Sequence, residues 1–206
     1  MTTTRITALS GMAAATLLLA GCSDGRVTAH TETSYFRPAS VAEIALHAPL
    51  RVEATVVSAA RVYDIPREPD GTPDPATGER ADAAPRVFAY EVVQVKVLRT
   101  LGGRGVVAPG TTLSVGVPVL DPSYTPEPGD DLATDVTRPG DTFGGRTGQT
   151  GVFFLTDPRP LGTFGQGREV TGFAEYASPT TTTIRSVFGP LRGASVLRAD
   201  VARAAG

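Results

Sequence analysis

Val87-Phe88-Ala89-Tyr90-Glu91-Val92-Val93-Gln94-Val95-Lys96-Val97-Leu98-Arg99 is the stretch on which the fold turns. Phe88, Tyr90 and Val92 alternate along one side, and Val93, Val95 and Val97 continue the alternation on the other, so the phase flips between residues 92 and 93. Period-two alternation of this kind is the pattern of a half-buried strand. Thirteen residues of straight strand would run about 43 Å, well past the usual ~17–20 Å. A β-bulge at the flip would bend the strand so that its halves serve two sides of a barrel or sandwich.

Working outward, the same alternation recurs. Leu50, Val52, Ala54 and Val56 share one face of a strand over 50–58, opposite Arg51, Glu53 and Thr55. Leu113, Val115, Val117 and Val119 form the core face of another over 112–120, after a turn region with Gly102, Gly103 and Gly105 and a type II turn at Pro109-Gly110. Val152-Phe153-Phe154-Leu155 is apolar on both faces, as a central strand is. Residues 170–176 and 182–188 read as further strands, and 195–205 as a short helix or a frayed tail. Ahead of them, Ser40-Val41-Ala42-Glu43 has the spacing of a capping box, and Pro49 must stop the short helix it opens.

Two long segments break the pattern. Residues 64–85 carry Pro66, Pro69, Gly71, Pro73, Pro75, Gly78 and Pro85 among charges, and 121–149 is rich in Pro, Gly and Asp. Both predict exposed polar loops, the expected place for a binding surface on a rigid β core. The expected fold class is thus mainly β: a single small barrel or sandwich over 40–206 with one short N-terminal helix. The capped helix, the Leu-x-Val-x-Ala-x-Val strand, the long hairpin strand ending Val95-Lys96-Val97-Leu98, and the Pro-Gly turn before a valine strand resemble small exported β-barrel domains of OB type, over residues 40–156. The resemblance implies a fold and no particular activity.

The N-terminus has its own logic. Arg5 and the amine precede a mostly apolar or small stretch from Ile6 to Ala20. As a helix it would span roughly 22 Å, short of a ~30 Å hydrocarbon core, so a cleavable signal segment over 1–21 is expected rather than a membrane span. Leu19-Ala20-Gly21-Cys22 then resembles the lipobox of bacterial lipoproteins. That resemblance implies cleavage before Cys22, a thioether to diacylglycerol on its thiol, and a lipidated tether over 22–39. It also implies a membrane partner reached through the anchor, outside the cytoplasm. Multiple acyl chains on one residue suffice for stable anchoring.

Composition narrows the chemistry. Cys22 is the only cysteine, so neither a disulfide within the chain nor a cysteine zinc site is possible. The formal net charge is −2, which gives no electrostatic basis for nucleic acid or anionic lipid as partner. Lys96 is the sole lysine among nineteen basic residues, the codon bias of a high-GC genome. Of the two histidines, His30 falls in the tether and His47 at the end of the short helix, where a cation suits the helix dipole. No Gly-x-Ser-x-Gly elbow, Ser-x-x-Lys set or phosphate loop occurs. Gly102-Gly103-Arg104-Gly105 superficially resembles an anion nest but has no helix following it, so a hairpin turn is expected.

Asp121, Glu127, Asp130, Asp131, Asp135 and Asp141 crowd one loop and include the hard oxygen ligands calcium takes. They lack the spacing of a calcium loop, and Arg138 and Arg146 offset part of their charge. A solvated acidic loop is the expectation. No catalytic residue, metal ligand or cofactor is assigned, and lipidation of Cys22 is the one site. The expected role is a non-enzymatic binding module held at the membrane, with an envelope protein or a small molecule as partner. The alternatives are an enzyme using carboxylates or a metal in loop 121–149, and a structural envelope protein that adds a strand at a sheet edge.

Overall fold

The computed structural model describes residues 37–65, 88–125, 137–185 and 191–206. Cys22, His30, the expected signal segment and most of the 64–85 loop lie outside them. Tyr35–Gly206 groups as one compact unit.

Helix α1 (Val41–Leu46) opens the domain with the capping box read from its spacing. Ser40 Oγ accepts from the Glu43 amide at 3.1 Å, and Glu43 Oε2 accepts from the Ala39 amide at 2.8 Å. The strands follow as β1 (Leu50–Val56), β2 (Arg61–Asp64), β3 (Phe88–Gly103), β4 (Thr112–Leu120), β5 (Thr150–Pro160), β6 (Gln166–Tyr176), β7 (Thr181–Arg185) and β8 (Ser195–Leu197). A 3-10 turn (Gly162–Phe164) joins β5 to β6. The C-terminal segment divides into β8 and a helix, α2 (Arg198–Ala205), so it is not frayed.

The pairings run in a ring. β1 pairs with β3, β3 with β4, β4 with β6, β6 with β5, and β5 with β1. All are antiparallel except β4–β6, a parallel seam of two residue pairs, Val115–Arg168 and Gly116–Glu169. That thin closure leaves the barrel partly open, with β7 and β8 extending the sheet outward from β6. The mainly β expectation therefore holds.

Inside the ring, Leu50, Val52, Ala54 and Val56 meet Val93, Val95, Val97, Val115, Val117, Val119, Phe153, Leu155, Val170 and Phe173. Each valine, leucine and phenylalanine among them contributes about 1.5–3 kcal/mol by leaving water. A second apolar layer covers the outside, where α1 and α2 lay Val41, Ile44, Ala45, Val201 and Ala205 on Val152, Phe154, Ala174 and Ile184. This explains why 152–155 is apolar on both faces: Phe153 and Leu155 fill the barrel while Val152 and Phe154 fill the helix layer. Gly172 admits the close approach, since a Cβ there would lie 2.8 Å from Ile44 Cγ2.

One expectation fails. No bulge lies at residues 92 and 93, because β3 pairs with β4 without a register shift from Phe88–Leu120 to Lys96–Thr112. The inward face runs unbroken through Ala89, Glu91, Val93, Val95 and Val97. The phase flip came from reading the alternation through Phe88, Tyr90 and Val92 and passing over Ala89 and Glu91 between them. In fact Glu91 points in, and Val92 is buried on the outer face. The bends of β3 occur further on, against β1, where two register shifts skip Leu98 and Leu101.

Candidate functional site

Glu91 stands among valines on the inner face of β3 and is 1 % exposed. Its Oε1 accepts from the Gly140 amide at 3.1 Å, and its carboxylate also accepts from the Phe143 amide. Burial pushes the Glu91 pKa up; the two amides oppose this, nearby Asp141 reinforces it, and Arg146 opposes it. Its Oε2 is buried and has no partner among the described residues. A charged group so placed is costly unless its hydrogen bonds are met.

Those amides belong to a loop that the sequence assigned to solvent. The described part of 121–149 folds across one mouth of the barrel. Phe143 enters the core, with its ring centroid 6.5 Å from Phe153 and 6.0 Å from Phe173, and those two rings stack at 4.2 Å. Thr137 and Thr142 are also buried, and the Leu120 amide donates to the Thr137 carbonyl at 3.0 Å. Gly144 permits the tight turn, because a Cβ there would lie 2.5 Å from the Gly140 carbonyl oxygen. Residues 137–149, the plug of this mouth, are therefore pinned to the barrel by buried Thr137, Thr142 and Phe143, while most of their other residues stay exposed as the sequence predicts. Composition hid this because one phenylalanine among Gly, Thr and Arg carries the packing.

A second inward carboxylate, Glu175 on β6, lies at the same mouth. Arg146 reaches its Oε1 at 3.5 Å and Arg185 its Oε2 at 2.9 Å. Arg146 also donates from Nε to the Thr142 carbonyl at 2.7 Å, tying the plug to the sheet. Beside this network opens a polar cleft of about 300 Å³, lined by Thr137, Asp141, Thr142, Arg185, Arg192 and Gly193. A separate groove of about 260 Å³ runs along β2 and β3, with Arg61, Tyr63, Gln94 and Phe164 in its lining. Tyr63 and Phe164 pack edge to face there at 5.1 Å. Further along the outer face, Tyr90 donates to Glu169 at 3.0 Å, and Arg159 pairs with the same oxygen. Burial, then the Glu169 carboxylate, raises the Tyr90 pKa, so its hydroxyl stays protonated.

Among the residues singled out from sequence, Asp121 is buried and accepts from the Ser123 amide and hydroxyl. Asp141 is exposed and caps the loop through the Arg138 amide at 3.1 Å. Glu127, Asp130, Asp131 and Asp135 lie outside the described residues. His47 sits at the C-cap of α1, exposed. Among the described residues, no three His, Cys, Asp or Glu side chains converge to hold a metal. Arg146 pairs with Glu175 on β6, although the sequence gave it to the loop's own acids.

Glu91, Glu175, Arg185 and Arg192 were not singled out. The signal for Glu91 was present: a lone acid within an apolar run of period two. Among the described residues, the mouth holds no free acid–base pair. Both Glu175 oxygens are engaged, and Glu91 is sealed beneath Phe143. The arrangement can latch a loop and offer two arginines and a carboxylate to a small polar ligand.

Set against protein-family models, curated proteins and solved structures, the chain has no significant match in any of the three.

Proposed function

We propose that the chain is an exported lipoprotein, anchored outside the cytoplasm through Cys22, whose β domain binds rather than catalyses. The observation that carries the reading is Leu19-Ala20-Gly21-Cys22: the chain's only cysteine directly follows two small residues at the end of a short apolar segment. Only a thiol can form the thioether, so this residue type at this place has a chemical reason.

The domain's features support a binding role. Its inward carboxylates hold the plug in place, and its polar cleft is open beside them. Arg185 and Arg192 would favour a ligand bearing a carboxylate or another small anion. The domain's partner is then a small polar molecule or a segment of an envelope protein met at the membrane surface.

Fractionation of cells making the wild type and Cys22→Ala tests the anchoring. The wild type should sediment with membranes, and C22A should leave the membrane fraction or accumulate as uncut precursor. Identical partitioning of both would overturn the reading.

A further inference from the structure

The loop joining β3 to β4 differs from the rest of the surface. Between Glu91 and Asp121 there is no acidic residue, and the charges are Lys96, Arg99 and Arg104. Arg99 is spent on Glu53. Arg104 is exposed and its guanidinium has no partner among the described residues. Beyond it Val106 is 92 % exposed, followed by exposed Ala108, Pro109 and Gly110, while Val107 turns inward and packs against the core. The Thr100 hydroxyl pins Val107 through both its amide and its carbonyl, at 2.9 and 3.0 Å, so the outward aim of Val106 is held by structure.

A second bare apolar side chain shares this rim. The Arg104 amide donates to the Pro49 carbonyl at 2.7 Å. Leu46, three residues before Pro49, ends α1 at 85 % exposure. Leaving Val and Leu this open to water is unfavourable, and an unpaired arginine beside them matches the chemistry of an anionic bilayer surface.

We infer that the rim formed by Leu46, Arg104 and Val106 docks on the outer face of the anionic membrane that carries the lipid anchor. The inference rests on the lipidation of Cys22 proposed above. Fourteen residues separate Cys22 from Arg37, where the described domain begins. Even fully extended, such a segment spans no more than about 50 Å, so the domain never leaves the neighbourhood of the bilayer and a shallow contact suffices. Docking by this rim would leave the polar cleft and the barrel mouth at the other end of β1, across about 20 Å of strand, facing away from the lipid.

The chain lacks tryptophan, so a single one reports its own surroundings. The full chain, processed and purified from membranes, is reconstituted into phosphatidylglycerol–phosphatidylcholine vesicles with brominated acyl chains, as Val106→Trp and as Gln149→Trp. Gln149 is exposed and bonds the far end of β1 through its backbone carbonyl. Emission from V106W should shift to the blue and lose intensity to the bromines, and emission from Q149W should do neither. Adding Arg104→Gln to V106W should weaken the quenching at low salt.

Unquenched V106W on chain whose mass shows a lipidated Cys22 would overturn the docking alone. A mass showing the thiol unmodified would overturn the anchoring beneath it. A concentration-dependent blue shift in detergent, without vesicles, would assign the rim to a second copy of the chain.

Discussion

The Gly140 amide donates to Glu91 Oε1 at 3.1 Å, joining residues 49 positions apart and holding the plug against the inner wall of the barrel. Because the acceptor is a buried carboxylate, this contact couples the fold to pH. Folding raises the Glu91 pKa, so the folded chain keeps that proton to a higher pH than the unfolded chain does. The stability so supplied is complete below the ordinary glutamate value of about 4.3 and is lost as pH rises through the folded value.

Glu91→Gln keeps an oxygen for the amide and removes the charge. Melting temperatures of wild type and E91Q, taken at steps from pH 4.5 to 7.5, should diverge as pH rises, with E91Q at least as stable at neutrality. Parallel curves would show that Glu91 carries no buried charge.

Phe143→Ala removes the ring that fills the mouth against Phe153 and Phe173. The loss should be about 3–5 kcal/mol, read as a lower urea midpoint. A change below about 1 kcal/mol would mean that the plug rests outside the core.

Ser40→Ala deletes the acceptor for the Glu43 amide. Chemical denaturation should show a loss of about 1 kcal/mol, recovered in large part by Ser40→Asp. No loss in S40A would mean that α1 is held by packing alone.

Gly172→Ala places a methyl against Ile44. Crowding of this kind costs about 1–3 kcal/mol and should lower the melting temperature while leaving the far-ultraviolet β signal intact.

Much of this architecture was legible, because strands with one buried face write their pairing into alternation. Leu50 to Val56 and Leu113 to Val119 face the core as their spacing predicted, and the capping box at Ser40 is made as its spacing required. Val152 to Leu155 needed two apolar faces because helices cover the outside of β5. The failures share one cause. Glu91 was passed over, and Phe143 was not picked out of an otherwise exposed polar loop, because each was read by the average polarity around it. Both side chains are buried through specific partners: an amide for the carboxylate, and two phenylalanine rings for Phe143. Those partners come from β5, β6 and a loop distant in sequence, where alternation carries no information.

The anchor stands apart from the fold and is tested by covalent chemistry. Intact and proteolytic mass analysis of the native protein, extracted from membranes, should find a mature chain beginning at Cys22 with diacylglycerol on its sulfur. A peptide running uncut through Gly21 and Cys22, or a free thiol at residue 22, would contradict the lipoprotein account.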